Sequence, residues 1–233
     1  MSRRSYAHYC PIARSLDVVG ERWTLLIVRE LALGPRRYTD LHADLPGIST
    51  DVLATRLKDM EANGLVVRRR LSVPVWVYEL TARGRGLVPV LAGLASWGSA
   101  LLSDDADPTD ALRGHWFAIP VATALRQAAD GATGTARVQV DEHGWCLRID
   151  AHDVVFLDAD GFTDVANGTD VANGTDGTDV ANGTDGTDVD VLVRLDTATA
   201  TALARGDVRL DKAIANGDVH VKGSSALAAS LTR

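Results

Sequence analysis

YTDLHADLPGISTDVLATRLKDM, residues 38–60, decides the fold of the N-terminal half. Leu41 and Leu45 fall on one face of a short helix that Thr39 can cap, and Pro46-Gly47 stops that helix after about two turns. Ser49 then offers its hydroxyl to the first N–H groups of a second helix. In that helix Leu53, Leu57 and Met60 form one apolar stripe, closed by Asn63-Gly64. Helix, tight turn, helix is the expectation. Opposite the stripe lie Asp51, Ala54, Thr55 and Lys58, all small or polar, with Thr50 and Arg56 on the flanks. A face of that kind can enter a DNA major groove.

Upstream, Ile12, Leu16 and Val19 mark one short helix, and Trp23, Leu26, Ile27 and Leu31 a second that Gly34-Pro35 ends. Downstream, 65–71 and 75–80 are rich in β-branched residues and joined by Ser72-Val73-Pro74, which predicts a hairpin. Its first strand ends in Arg68-Arg69-Arg70. Adjacent arginines place charge on both faces of a strand, which a core would reject and a phosphate backbone would accept. Thr81 caps a last helix, in which Leu87, Val90, Leu91, Leu94, Trp97, Leu101 and Leu102 make a stripe too long for so small a domain to cover. A dimer partner is expected over Leu91, Leu94, Trp97 and Leu101.

Charge divides the chain near Ser103. The protein has 233 residues, 46% of them hydrophobic, and a net charge of -7. Residues 1–103 hold 14 Lys and Arg against 9 Asp and Glu, whereas 104–233 hold 10 against 22. Only the first part suits a polyanion, and the second should be repelled from DNA. The expected organisation is therefore 1–103 for DNA binding and dimerisation, 104–110 as a linker, and 111–233 as a separate domain. No apolar run approaches the ~20 residues of a membrane span, and Met1-Ser2-Arg3-Arg4 is followed by no apolar segment of a secretion signal. Cys10 and Cys146 form neither a disulfide framework nor a metal knuckle. A cytoplasmic protein without membrane association or cofactor is the expectation.

The motifs YCPI (9–12), GERWTLLI (20–27), YTDL (38–41), PGIS (46–49), LATRL (53–57), GLV (64–66) and YELT (78–81) occur in the order and spacing of the HxlR branch of MarR-like regulators. Residues 6–100 resemble that family. The resemblance implies a winged helix-turn-helix homodimer on double-stranded, pseudo-palindromic DNA, with half-sites about one helical turn apart or a multiple of it. It assigns Ser49, Thr50, Asp51, Thr55 and Lys58 to the reading helix, and Arg56, Arg68, Arg69 and Arg70 to phosphate. Arg56 stands equally well as a structural residue paired with Glu61 or Glu79. Cys10 occupies the position where some relatives carry a redox-sensing thiol; Arg3, Arg4 and Arg14 would favour its thiolate, while a buried, inert cysteine is the competing reading.

Beyond the linker, a helix over 116–128 precedes strands at 138–140, 145–149, 154–157 and 191–195, with a turn at His143-Gly144. Thr197 and Asp211 can cap two helices, 218–222 reads as a last strand, and 225–231 as a closing helix. This is an α+β domain. Residues 203–206 and 210–223 resemble the end of sterol-carrier-like domains, which implies an apolar cavity and an apolar small-molecule effector; an added stabilising domain without ligand is the alternative. Within it, Asp-Val-Ala-Asn-Gly-Thr begins at 164, 170 and 179, so 164–190 reads as a low-complexity insertion. Asp158, Asp160 and the repeat aspartates lack the spacing of known calcium loops.

Catalytic signatures such as G-x-S-x-G, H-E-x-x-H and the Walker loop are absent from the sequence, and the six histidines are scattered singly. No metal site and no enzyme are expected. The other function class is a lipid-binding module with a vestigial DNA-binding domain.

Overall fold

The computed structural model describes residues 5–71, 75–102, 107, 109–151, 153–157 and 189–233. The chain separates into two compact units, one built mainly on residues up to Gly98 and the other mainly on residues from Leu112 onward. Among the described residues no helix is long and apolar enough to cross a membrane.

The first unit consists of α1 (Pro11–Val19), α2 (Thr24–Ala32), α3 (Tyr38–Ala43), α4 (Thr50–Ala62), β1 (Val66–Arg70), β2 (Trp76–Leu80), α5 (Ala82–Arg85) and α6 (Val88–Gly98). The apolar stripe of α4 sets its orientation: Leu53, Leu57 and Met60 are buried with Ile27, Val28 and Leu31 of α2 and with Leu41, Leu45, Leu65 and Leu80. β1 and β2 pair antiparallel, Val66 opposite Leu80 and Arg70 opposite Trp76. Arg36 adds an isolated bridge to Tyr78. Together these make a three-helix core with a hairpin wing.

Two details differ from the sequence reading. α3 starts two residues earlier, because the Arg37 N–H donates to the Asp40 carboxylate (3.3 Å); Thr39 lies inside the first turn and Leu45 beyond the helix, still buried. The long last helix is interrupted. Thr81 does cap a helix, accepting from the Gly84 N–H, but that helix is the single turn α5. Pro89 lacks an N–H and its ring would collide with the carbonyl four residues back, so α6 starts afresh at Val88 with the proline in its first turn. Leu101 falls in a 3-10 turn, Ser99–Leu101.

In the second unit a 3-10 turn at Gly114–Phe117 leads into α7 (Ala118–Ala128), so the helix expected from 116 begins later. β3 (Gly134–Val140), β4 (His143–Ile149), β5 (Val154–Leu157), β6 (Val191–Leu195) and β7 (Val219–Lys222) form one sheet in the order β5-β4-β3-β6-β7. Only β3 and β6 run parallel. The hairpin turn sits at Asp141-Glu142, with Asp141 at φ 49, rather than at His143-Gly144, which already pair within β4. α8 (Thr197–Arg205) is capped by Asp196, whose carboxylate accepts from the Thr199 N–H at 2.7 Å, and not by Thr197. α9 (Leu210–Asn216) follows Arg209, placing Asp211 inside its first turn instead of at the cap. α10 (Ala226–Leu231) is capped by Ser225. One sheet face, with Ala136, Val138, Val140, Leu147, Ile149, Val191 and Val193, is buried. Within the second unit, α7, α9 and α10 contact the sheet. Ser103, most of the linker (104–106 and 108), Asp158, Asp160 and the repeats up to 188 lie outside the described residues.

Gly84 tests how tightly the wing is seated. A Cβ there would stand 2.1 Å from the Leu65 carbonyl oxygen and 3.0 Å from Leu80 Cδ2, and the first of these is backbone. Gly84→Ala should destabilise the full-length protein by at least ~1–3 kcal/mol in urea unfolding, comparable with overpacking a core. An unchanged midpoint would show that the β2–α5 corner yields freely.

Candidate nucleic-acid interface

The exposed side of α4 carries the residues expected to read DNA. Ser49, at the N-cap, accepts from the Val52 N–H (3.4 Å), and Thr50, Asp51, Ala54, Thr55 and Lys58 are all exposed. The start of the helix is braced by the Tyr38 hydroxyl, which donates to the Thr50 carbonyl at 2.7 Å. The Thr55 hydroxyl donates back to the Asp51 carbonyl (2.7 Å), leaving its oxygen as an acceptor toward solvent. Lys58 makes no ion pair among the described residues and extends as a free cation.

Arg56 behaves differently from the rest. Its guanidinium is only partly exposed and is paired with Asp59 at 3.0 Å and Glu21 at 3.9 Å. It therefore clamps α4 to the chain before α2, and neither Glu61 nor Glu79 is its partner. A phosphate would have to displace those carboxylates.

The wing divides its three arginines among three tasks. Arg68 lies over the Trp76 ring, 4.7 Å from its centroid, and 5.9 Å from that of Tyr78. This follows from the register, which sets Arg68 opposite Tyr78 and Arg70 opposite Trp76. The guanidinium is thereby held against two aromatic rings while Arg68 stays exposed to an anion. Arg70 is exposed. Arg69 turns to the other side and donates to Glu79 Oε2, whose second oxygen accepts from Arg85 at 2.8 Å. Burial alone would raise the Glu79 pKa, but the hydrogen bonds and charges of Arg69 and Arg85 outweigh it and hold the carboxyl below its ordinary value. Arg69 is thus a structural cation. Trp76 and Tyr78 were not singled out from the sequence, although the alternation W-V-Y places both on the side of Arg68 and Arg70.

The outer face of the unit is apolar. No residue of α6 is buried; Leu91 is partly exposed, Leu94 exposed, and Trp97 and Leu101 are 73% and 72% exposed. On α1, Ile12 and Leu16 are exposed as well. Cys10 precedes α1 as its N-cap residue and is half-buried. Of the cations expected to favour its thiolate, Arg14 faces Asp17 at 3.8 Å, and Arg3 and Arg4 lie outside the described residues.

Both halves of the chain resemble known proteins. A family profile described as HxlR-like helix-turn-helix matches residues 18–106, and one described as the SCP-2 sterol transfer family matches 164–233. An HTH-type transcriptional regulator of Synechocystis sp. is 38% identical over 110 residues, which span 46% of this chain and 82% of that protein. The HTH-type transcriptional regulator YodB of Bacillus subtilis is 38% identical over 91 residues, 38% of this chain and 81% of YodB. The structure of quinone-bound YodB aligns with a TM-score of 0.35 at 35% identity, covering 39% of this chain and 98% of that one.

The Arg69–Glu79–Arg85 triad makes wing stability depend on pH. Because the folded carboxyl titrates below its unfolded value, its stabilisation is fully present above the unfolded Glu pKa of ~4.3 and is lost as pH falls through the lower folded value. Glu79→Gln should therefore lower the urea midpoint at pH 7, with the gap from wild type closing under acid. A gap that stays constant down to pH 3 would show that the triad contributes through packing alone.

Proposed function

The chain belongs to the HxlR-like helix-turn-helix family, and on that premise we propose a transcriptional regulator, not an enzyme, that binds a pseudo-palindromic DNA operator as a homodimer. The observation that carries this reading is the pairing of α4's exposed polar face with a wing whose Arg68 and Arg70 are directed to solvent. α4 supplies side chains for base edges, and the wing cations grip the backbone without reading sequence. Arg56 and Arg69 act indirectly, by holding the helix and the hairpin in place.

The homodimer is supported by the apolar faces of α1 and α6. Leaving Ile12, Leu16, Leu94 and Trp97 in water is unfavourable at roughly 25 cal/mol per Å² of apolar surface, and a second copy of the same helices would cover them. In the second unit, the SCP-2 match supports an apolar small-molecule effector. There the Trp145 indole N–H is buried with no acceptor among the described residues, a donor suited to the polar end of such a molecule.

Two measurements test the regulator. DNA selected from a random pool should be bound with clear sequence preference. Arg68→Ala/Arg70→Ala should weaken binding to all sequences and flatten the log–log salt slope by about 4, two contacts from each protomer of the dimer, whereas Lys58→Ala should change the preferred bases. Trp97→Asp should convert the sedimenting species from dimer to monomer. Absence of any selective binding by wild type would move the function to the second unit.

A further inference from the structure

The second half of the chain carries an excess of acidic residues, yet its sheet sorts the charges by side. Strand pairing sets Arg148 opposite Thr135, Arg137 opposite both Cys146 and Leu192, Gln139 opposite Arg194, Arg194 opposite His220, and Leu192 opposite Lys222. Paired residues share a face, so Arg137, Arg148, Arg194, His220 and Lys222 all project from the side opposite the buried apolar layer. All five are exposed. Arg148 faces Asp150 at 3.4 Å, while Arg194, His220 and Lys222 make no ion pair among the described residues. Arg148, Arg137 and Arg194 lie on a diagonal across three neighbouring strands. Moving one strand over and two residues along gives steps of about 8 Å, of the order of the spacing between phosphates on one DNA strand.

We propose that this cationic sheet face is a second, sequence-independent contact for the phosphate backbone of duplex DNA flanking the operator. The inference rests on the DNA-binding reading above. Net charge does not forbid it, since screening confines each charge to a range of about 8 Å at physiological salt. A bilayer is the poorer occupant: the large exposed apolar side chains described in this half do not include any residue of the sheet, so nothing on this face would insert into lipid. Single-stranded nucleic acid is poorer too, because the described residues of this face include no Phe, Tyr or Trp on which bases would stack. Duplex phosphate asks only for cations in a row, and covalent linkage to the operator-bound unit makes even a weak second contact effective.

The test compares full-length protein on the selected operator alone and on the same operator extended by arbitrary duplex on both sides, across a series of KCl concentrations. Wild type should bind the extended duplex about tenfold more tightly, with a log–log salt slope steeper by about 5, from three arginines in each protomer of the dimer. R137A/R148A/R194A/K222A should lose that increment while keeping operator affinity and unfolding midpoint, and R137K/R148K/R194K should retain it, because point charges suffice. An increment that survives the alanine changes, or operator binding by wild type with no increment, would overturn the inference alone. Capture of wild type by phosphatidylglycerol vesicles, abolished by the alanine changes and without any DNA-length effect, would overturn it in favour of a bilayer. Failure of wild type to select any operator would sink the regulator reading and this inference together.

Discussion

Leu53, Leu57 and Met60 are held in the first unit's core at almost no exposure, and what that unit presents to solvent follows from their placement. A helix has a single azimuth. Once one stripe is locked against Ile27, Leu31 and Leu41, Thr50, Asp51, Thr55 and Lys58 have only one direction left. The short joint between α3 and α4 keeps that direction, with Ser49 satisfying the first turn and Tyr38 tying the helix start from α3. Rotating α4 would bury a lysine or expose three large apolar side chains, and both are costly.

Charge is handled by pairing some cations and leaving others open. Arg56 and Arg69 look interchangeable with Lys58 and Arg70 in a list of basic residues, yet each is occupied by carboxylates from its own surroundings. Those pairs fix the helix and the hairpin, while the unpaired cations remain to meet an anion. Arg68 is an intermediate case, seated on Trp76 so that its position is defined without neutralising its charge.

Much of the fold was legible because periodicity is a local property. The stripe on α4, the cap at Ser49 and the hairpin on either side of 72–74 all follow from neighbours within a few residues. Misplaced ends share one cause: several residues near a terminus can cap it, and the winner depends on backbone geometry. Asp196 rather than Thr197 receives the Thr199 N–H, and Asp40 pulls the start of α3 back to Tyr38. The break before Pro89 leaves no mark on the apolar pattern, which continues across it.

The sequence by itself determined the family, the helix-turn-helix with its wing, the α+β character of the second half, and the unequal charge of the two halves, since these depend on spacing and composition. Tertiary structure alone decided which arginines are spent inside the protein and which are offered outward. It also decided that Arg137, Arg148, Arg194, His220 and Lys222, scattered over 86 positions, converge on one face of an otherwise acidic domain. The reason is physical: charge in a sequence is a sum, whereas charge on a sheet is set by strand order and register, which bring residues distant in the chain within a few ångströms of one another.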